Sequence, residues 1–489
     1  LPLARTKQNK WSMTTDNQRD QQEEATKSYA ERSNWIRTSV TFKLFAVGFL
    51  ALLLLIPAFM IQYVISDRQI RYNEAVREVS SAWGLEQIVG GPILTVPYNT
   101  KVKDEQGKES TVTQYAYFLP EKLSTNGAVT TNERYRGIYK AVVYGSKIQV
   151  KGEFLYPNFA EWDIPAKDIL WDRAFLAVNI PDMRGIQENI ELTWNNQKML
   201  FEPGIESGFY INPAAAANDY YQYDQPAAQA TSGSSGISVG VPLQLNGTDK
   251  TFQFAFDLNL NGSGRLSFLP LGKVTDVTLS SSWKDPSFEG AFLPDERTTN
   301  KDGFTAHWKI LHLNRSFPQQ WRGDAQNLQS SVFGVRFLVP VTEYQKNERS
   351  SKYAVMFIFL TFLGFFFVEV LNKMRIHPLQ YLLVGAALCV FYLLLLSLSE
   401  HIGFNPAYLV SAIATIGLIT FYCAAIFKNR KLTIAICMGL IALYGFLYSL
   451  LQLQDYALLL GSLGLFAVLA GMMYYSRNID WYNLSKKED

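Results

Sequence analysis

Six long apolar runs limit this chain more than any other feature. They are Leu44–Ile65, Tyr353–Leu371, Tyr381–Leu398, Pro406–Phe427, Leu432–Leu451 and Tyr456–Tyr475. As a helix rising 1.5 Å per residue, each can cross a hydrocarbon core of about 30 Å. Unpaired backbone amides are not tolerated in lipid, so helix is the expected conformation. A wholly soluble enzyme is excluded. So is a porin, whose short alternating strands never produce such runs. With 45 Lys and Arg against 43 Asp and Glu, the net charge of +2 gives no basis for nucleic-acid binding.

Basic residues in the short loops predict the orientation. Lys373 and Arg375 follow the second run, and Lys428, Arg430 and Lys431 follow the fourth. Arg477, Lys486 and Lys487 follow the sixth, while Lys27, Arg32, Arg37 and Lys43 precede the first. Segments 399–405 and 452–455 carry no Lys or Arg. Both termini are therefore expected in the cytoplasm, with 66–352 on the other side. The predicted division is a disordered tail at 1–43, a first span at 44–65, an outer domain at 66–352, a five-helix bundle at 353–475 and a tail at 476–489. The first span reads as an uncleaved signal anchor, being too long for a signal peptide and preceded by a polar tail.

The outer segment changes character along its length. Ser66 to Ala82 reads as a helix continuing the first span. After Gly90-Gly91-Pro92 the pattern becomes period two, as in Phe252, Phe254, Phe256, Leu258 and Leu260. Phe304, Ala306, Trp308, Ile310 and His312 form a second such set, and Val332–Val341 reads as a last strand. Asn261-Gly262-Ser263-Gly264 reads as a turn between strands. Short alternating strands with turn signals predict antiparallel sandwich architecture, as one large body or two smaller ones. Residues 213–236 lack periodicity and read as a surface loop, with Tyr220, Tyr221 and Tyr223 as the residues a docking arm would use. All three cysteines (Cys389, Cys423, Cys437) fall inside the apolar runs, so the outer domain has no disulfide. That suits a bacterial inner membrane better than a eukaryotic surface.

Motifs for nucleotide, metal or nucleophilic chemistry are missing. His307 and His312 are five apart on one expected strand, which places them on opposite faces. His377 precedes Pro378 and reads as a headgroup contact or a helix cap. Glu400-His401 reads as a hydrogen-bonded pair at the end of the third span, with a proton relay as the sharper alternative. Glu369 is the ionisable residue within the runs. It is expected to reach the interface beside Lys373. Asp295 and Glu296, followed by Arg297, are adjacent carboxylates that either act as acid and base or form a solvated turn. Ala467 and Gly471 have the spacing of a small-residue helix contact.

Longer strings carry a resemblance. They include Gly91-Pro92 with Pro97, PSFEGAFLPDER from Pro286 to Arg297, and GFTAHW from Gly303 to Trp308. In the apolar half they include HPLQYLLVG from His377, FYLLLLSLSEH from Phe391 to His401, and RNIDWY from Arg477. From about Trp35 to Tyr482 the chain resembles the CreD family of Gram-negative inner membrane proteins. The resemblance implies a role in cell-envelope integrity and envelope stress, linked to a two-component system, colicin tolerance and β-lactam responses. It brings no enzymatic activity and no cofactor. The expected protein is a six-span anchor bearing a β-rich periplasmic domain. Its partners would be the lipid bilayer and envelope proteins, lipid or peptidoglycan components. Pro286, Phe288, Asp295–Arg297, His307 and Trp308 would lie on its working surface, or else be turns and core strands. A transporter or lipid-handling protein using Glu369, Glu400 and His401 is the rival, and a periplasmic hydrolase using Asp295 and Glu296 the third reading.

Overall fold

A computed structural model describes residues 40–103, 109–206, 235–243, 250–323, 326–337, 343–372, 374, 376–453 and 456–477. The expected disorder of 1–35, most of the 213–236 loop with its three tyrosines, and Lys373 lie outside these residues. The chain divides into two compact units, one formed by Leu1–Ile70 with Val341–Asp489 and one by Arg71–Pro340.

The helical unit is entered by α1 (Val40–Trp83), whose apolar stretch contains Pro57. The helix runs on through the charged residues after Ile65, as their spacing predicted. A short polar helix, α2 (Glu343–Lys352), comes next and was not foreseen. Five apolar helices follow: α3 (Ala354–Leu371), α4 (Pro378–Ile402), α5 (Phe404–Phe427), α6 (Arg430–Gln452) and α7 (Ala457–Ser476). With α1 they make, among the described residues, six helices long and apolar enough to cross a membrane. Local chemistry sets their ends. His377 caps α4, its Nδ1 accepting from the Leu379 N–H at 3.2 Å, and Pro378 takes the first helical position. Gly403, at φ +77, makes the joint between α4 and α5, a conformation that glycine enters at no steric cost. Asn429 caps α6 by accepting from the Lys431 N–H.

Aromatic side chains fill the bundle, with Phe391 edge-on to Tyr444 at 4.8 Å and to Tyr408 at 5.6 Å. Gly385 lets α1 approach α4 closely, since a Cβ there would lie 2.0 Å from Leu54 Cδ1. Among the described residues, the small-residue contact expected at Ala467 and Gly471 is not made. Gly471 has no neighbour within 4 Å of a built Cβ, and it is Gly464 that packs under the Phe446 ring.

The Arg71–Pro340 unit is a pair of β-sheets. The first runs in the order Pro286–Gly290, Phe333–Phe337, Arg265–Phe268, Gln87–Lys103, Phe175–Asn179, Gly236–Gly240 and Glu202–Pro203. Strand Glu109–Phe118 also pairs with Gln87–Lys103, and Gln320–Arg322 pairs with Glu109–Phe118. The second runs Glu296–Asn300, Gly303–Leu311, Val274–Ser281, Lys122–Arg136, Tyr139–Leu155, Thr251–Ser263, Glu191–Trp194 and Gln197–Leu200. Side chains from both sheets form one continuous buried cluster, including Leu94, Val96, Leu176, Phe254, Leu258, Trp308 and Phe333. The unit is therefore one two-sheet body.

Four local expectations are corrected. The pairing is mixed: Val274–Ser281 lies parallel to Lys122–Val129, and Gln87–Val89 lies parallel to Leu266–Phe268. Alternation reports which face a residue takes and is silent on strand direction. Gly90-Gly91-Pro92 does not precede the first strand but lies inside it, at a register shift. A Cβ on Gly91 would stand 2.8 Å from Val178 Cα, so glycine there permits close backbone approach. Asn261–Ser263 continues its strand, and the turn contracts to Gly264 at φ +68. His312 lies beyond strand Gly303–Leu311; of the strand expected at Val332–Val341, the described residues form Phe333–Phe337.

Candidate functional site

In the β unit the PSFEGAFLPDER string passes from the edge of one sheet to the edge of the other. Pro286 opens the first edge strand, where its missing N–H costs no ladder bond. Phe288 turns inward, edge-on to Phe304 at 5.5 Å and to Trp308 at 5.9 Å. Trp308 is fully buried and donates from Nε1 to the Phe292 carbonyl at 3.3 Å. Asp295 Oδ2 accepts from the Lys309 N–H at 2.7 Å, while the Asp295 N–H donates to the His307 carbonyl. Glu296 and Arg297 are exposed on the second edge strand, and the Arg297 guanidinium lies 5.9 Å from the Phe288 ring. Polar exposed side chains are how an edge resists pairing with another chain. His307 Nε2 meets Asp276 Oδ2 at 3.2 Å. The string thus brings Phe288 and Trp308 together in the core and leaves Asp295 and Glu296 at a polar edge. Among the described residues no three of His, Cys, Asp and Glu gather as a metal set.

Two charged groups of this unit have no sequence motif. Asp182 accepts from the Leu85 N–H at 2.9 Å and from Arg184 Nε and Nη2 at 2.8 and 2.9 Å. Burial pushes its carboxyl up, but the Arg184 guanidinium and the Leu85 N–H outweigh that and hold it below the ordinary 3.8. Arg315 is buried and donates to the carbonyls of Phe317 (2.6 Å) and Pro318 (3.1 Å) and to Gln319 Oε1. Burial pushes its guanidinium down to about 10.

The helical unit holds two polar networks at opposite ends of α4. At the first, Glu369 on α3 is only 3% exposed. Its Oε1 meets Lys43 Nζ on α1 at 2.7 Å, and its Oε2 accepts from Tyr381 Oη on α4 at 2.8 Å. Glu369 is thus buried among the helices, and Lys373, beside which it is expected to reach the interface, lies outside the described residues. Glu369 is held inward because α1 supplies a cation, α4 a hydroxyl, and the segment between α3 and α4 the Ile376 N–H at 3.4 Å. At the other end, Glu400 Oε1 accepts from Tyr344 Oη at 3.1 Å and lies 3.9 Å from Arg68 Nε. Glu400 thus bonds to α1 and α2, whereas His401 is exposed. Asn347 on α2 donates to Ser399 Oγ on α4 at 2.7 Å.

Lys43, Tyr381, Tyr344 and Asn347 were not singled out from sequence. A lone acid in an apolar run signals that a partner exists, but nothing local says which residue supplies it. The polar stripe Glu343, Asn347 and Ser350 does have a readable helical spacing.

Comparison with known proteins places the chain. The family model for Inner membrane protein CreD matches residues 39–482. The chain belongs to the CreD family. It is 32% identical over 459 residues to Inner membrane protein CreD of Escherichia coli (strain K12), covering 92% of this chain and 95% of that relative. With six membrane-length helices, it is a multi-pass inner-membrane protein.

Proposed function

We propose that the protein supports cell-envelope integrity as a non-enzymatic anchor. It presents the Arg71–Pro340 unit on the periplasmic side and keeps both termini in the cytoplasm. One observation carries the reading: a large two-sheet body is inserted between the first and second of six membrane-length helices. The Lys and Arg bias of the short loops supports the orientation. Asp295, the acid/base candidate of the hydrolase reading, has its carboxylate engaged by the Lys309 N–H, which suits an edge residue better than a catalyst.

The test is complementation of a deletion strain exposed to bile salt or a β-lactam. Full-length protein and its Asp295→Asn variant should restore survival equally. Failure of Asp295→Asn at normal membrane abundance would establish the hydrolase reading instead. Absence of any deletion phenotype would remove the envelope role. A reporter enzyme active only in the periplasm, inserted at Gly137, should be active; the same reporter at the C-terminus should be silent.

A second reading, a path through the bundle, is favoured by the buried Glu369 and Asn347. It requires substitutions at Glu369, Glu400 and His401 to alter the same survival phenotype without loss of protein.

A further inference from the structure

Helix α2 carries Glu343, Asn347 and Ser350 at positions i, i+4 and i+7, which puts them on one side of the helix. That side faces inward: Asn347 is 1% exposed and Ser350 fully buried. Asn347 uses both amide hydrogens, one to the Glu343 carbonyl at 2.9 Å and one to Ser399 Oγ at 2.7 Å. This pairing identifies the other end of the amide as the carbonyl. Ser399 Oγ donates onward to the Leu396 carbonyl at 2.8 Å and has no hydrogen to return. Asn347 Oδ1 is therefore a buried acceptor that no described group satisfies, and so is Glu343 Oε2; Ser350 Oγ is buried without a partner as well. Each such atom destabilises the fold unless something meets it, and a carboxylate does so more than a neutral group.

The unmet atoms are a carboxylate oxygen, an amide carbonyl and a hydroxyl. An oxygen-only set suits a hard cation or an ammonium and offers nothing to a thiophilic metal. Charge then selects the valence. Glu400 is already matched by Tyr344 and Arg68, whereas Glu343 forms no ion pair among the described residues. One uncompensated carboxylate balances one positive charge. The α4–α5 joint borders this group: a Cβ on Gly403 would stand 3.8 Å from Glu343 Oε1.

We propose that Glu343 and Asn347 of α2, neighbours one turn apart on the inward side of the helix, form a binding site for a monovalent cation, supplied as a free alkali ion or as the ammonium of a phosphatidylethanolamine head group. The site is independent of the envelope reading, because its readout is binding.

The experiment uses the full-length protein in lipid nanodiscs and measures thermal unfolding at matched ionic strength. In phosphatidylcholine, replacing choline chloride with NaCl or KCl should raise the midpoint by roughly 3–5 °C if the free ion is the ligand. In choline chloride, phosphatidylethanolamine should give a similar rise over phosphatidylcholine if the head group is the ligand. Glu343→Gln should abolish the rise, and Glu348→Gln, whose carboxylate pairs with Lys352 on the same helix, should keep it. Equal midpoints in all salts and both lipids would overturn the proposal. An equal loss of the rise in Glu343→Gln and Glu348→Gln would also overturn it, by exposing a general charge effect.

Discussion

Removing one partner of the Glu369–Lys43 pair gives a sharp test of the bundle. The carboxylate is 3% exposed and the ammonium 28% exposed, at 2.7 Å. Stripping a partner from a fully buried pair costs about 3–5 kcal/mol. Water reaching the Lys43 end reduces that, so the two substitutions should differ. Glu369→Gln keeps the side-chain shape and leaves a partly hydrated ammonium behind, which should cost ~1–2 kcal/mol. Among the described residues, Lys43→Met leaves the carboxylate met by Tyr381 Oη and the distant Ile376 N–H, and should cost ~3 kcal/mol. The double variant should lose less than the sum, with a coupling of ~1–2 kcal/mol. Thermal unfolding of the purified full-length protein, read by size-exclusion of heated samples, should rank the midpoints as wild type, Glu369→Gln, Lys43→Met. Midpoints within 1 °C of wild type for both single variants would refute the reasoning (a resolution of about 0.3 kcal/mol). So would effects that simply add.

Other outcomes follow from the β unit. Asp182 is held below its ordinary 3.8, so its stabilisation is present above about pH 4 and is lost as pH falls through the lowered native value. Asp182→Asn should lower stability at pH 7 by ~2 kcal/mol and flatten the acid-unfolding curve below pH 4, followed by tryptophan fluorescence. Arg315→Lys keeps the charge but cannot span the Phe317 and Pro318 carbonyls with Gln319, so it should cost ~2 kcal/mol in denaturant unfolding. Gly303, at φ +138, would place a Cβ 1.9 Å from the Ser281 carbonyl oxygen. Gly303→Ala should therefore destabilise by at least about 2 kcal/mol or reduce membrane abundance, scored by immunoblot.

Much of the architecture was legible because it rests on local periodicity. The apolar runs located every long helix among the described residues, since the need to pair backbone groups in lipid leaves one conformation. The alternation in Phe252–Leu260 placed those residues on the core face of a strand, and the structure buries Phe252, Phe254, Phe256, Leu258 and Leu260. Helix α2 was missed because Glu343–Lys352 is polar and adjoins a longer apolar signal. The Asn261–Gly264 turn was overextended because glycine and asparagine mark turns without saying how many residues the turn needs. Of the candidate residues, His377 was readable as a cap from the proline that follows it. Asp295 was ambiguous, because an edge carboxylate bonded to a neighbouring N–H and a catalytic one look alike in a string.

Membrane residence, the placement of the membrane-length helices and the face each strand residue takes follow from nearest-neighbour chemistry along the chain. Partner choice does not. Glu369 finds Lys43 across 326 residues, and Lys122–Val129 lies parallel to Val274–Ser281 from a distant stretch of sequence. Buried charges and unpaired strand edges announce that something must satisfy them. Which group arrives depends on the closure of loops far longer than any local pattern, and so belongs to the folded chain alone.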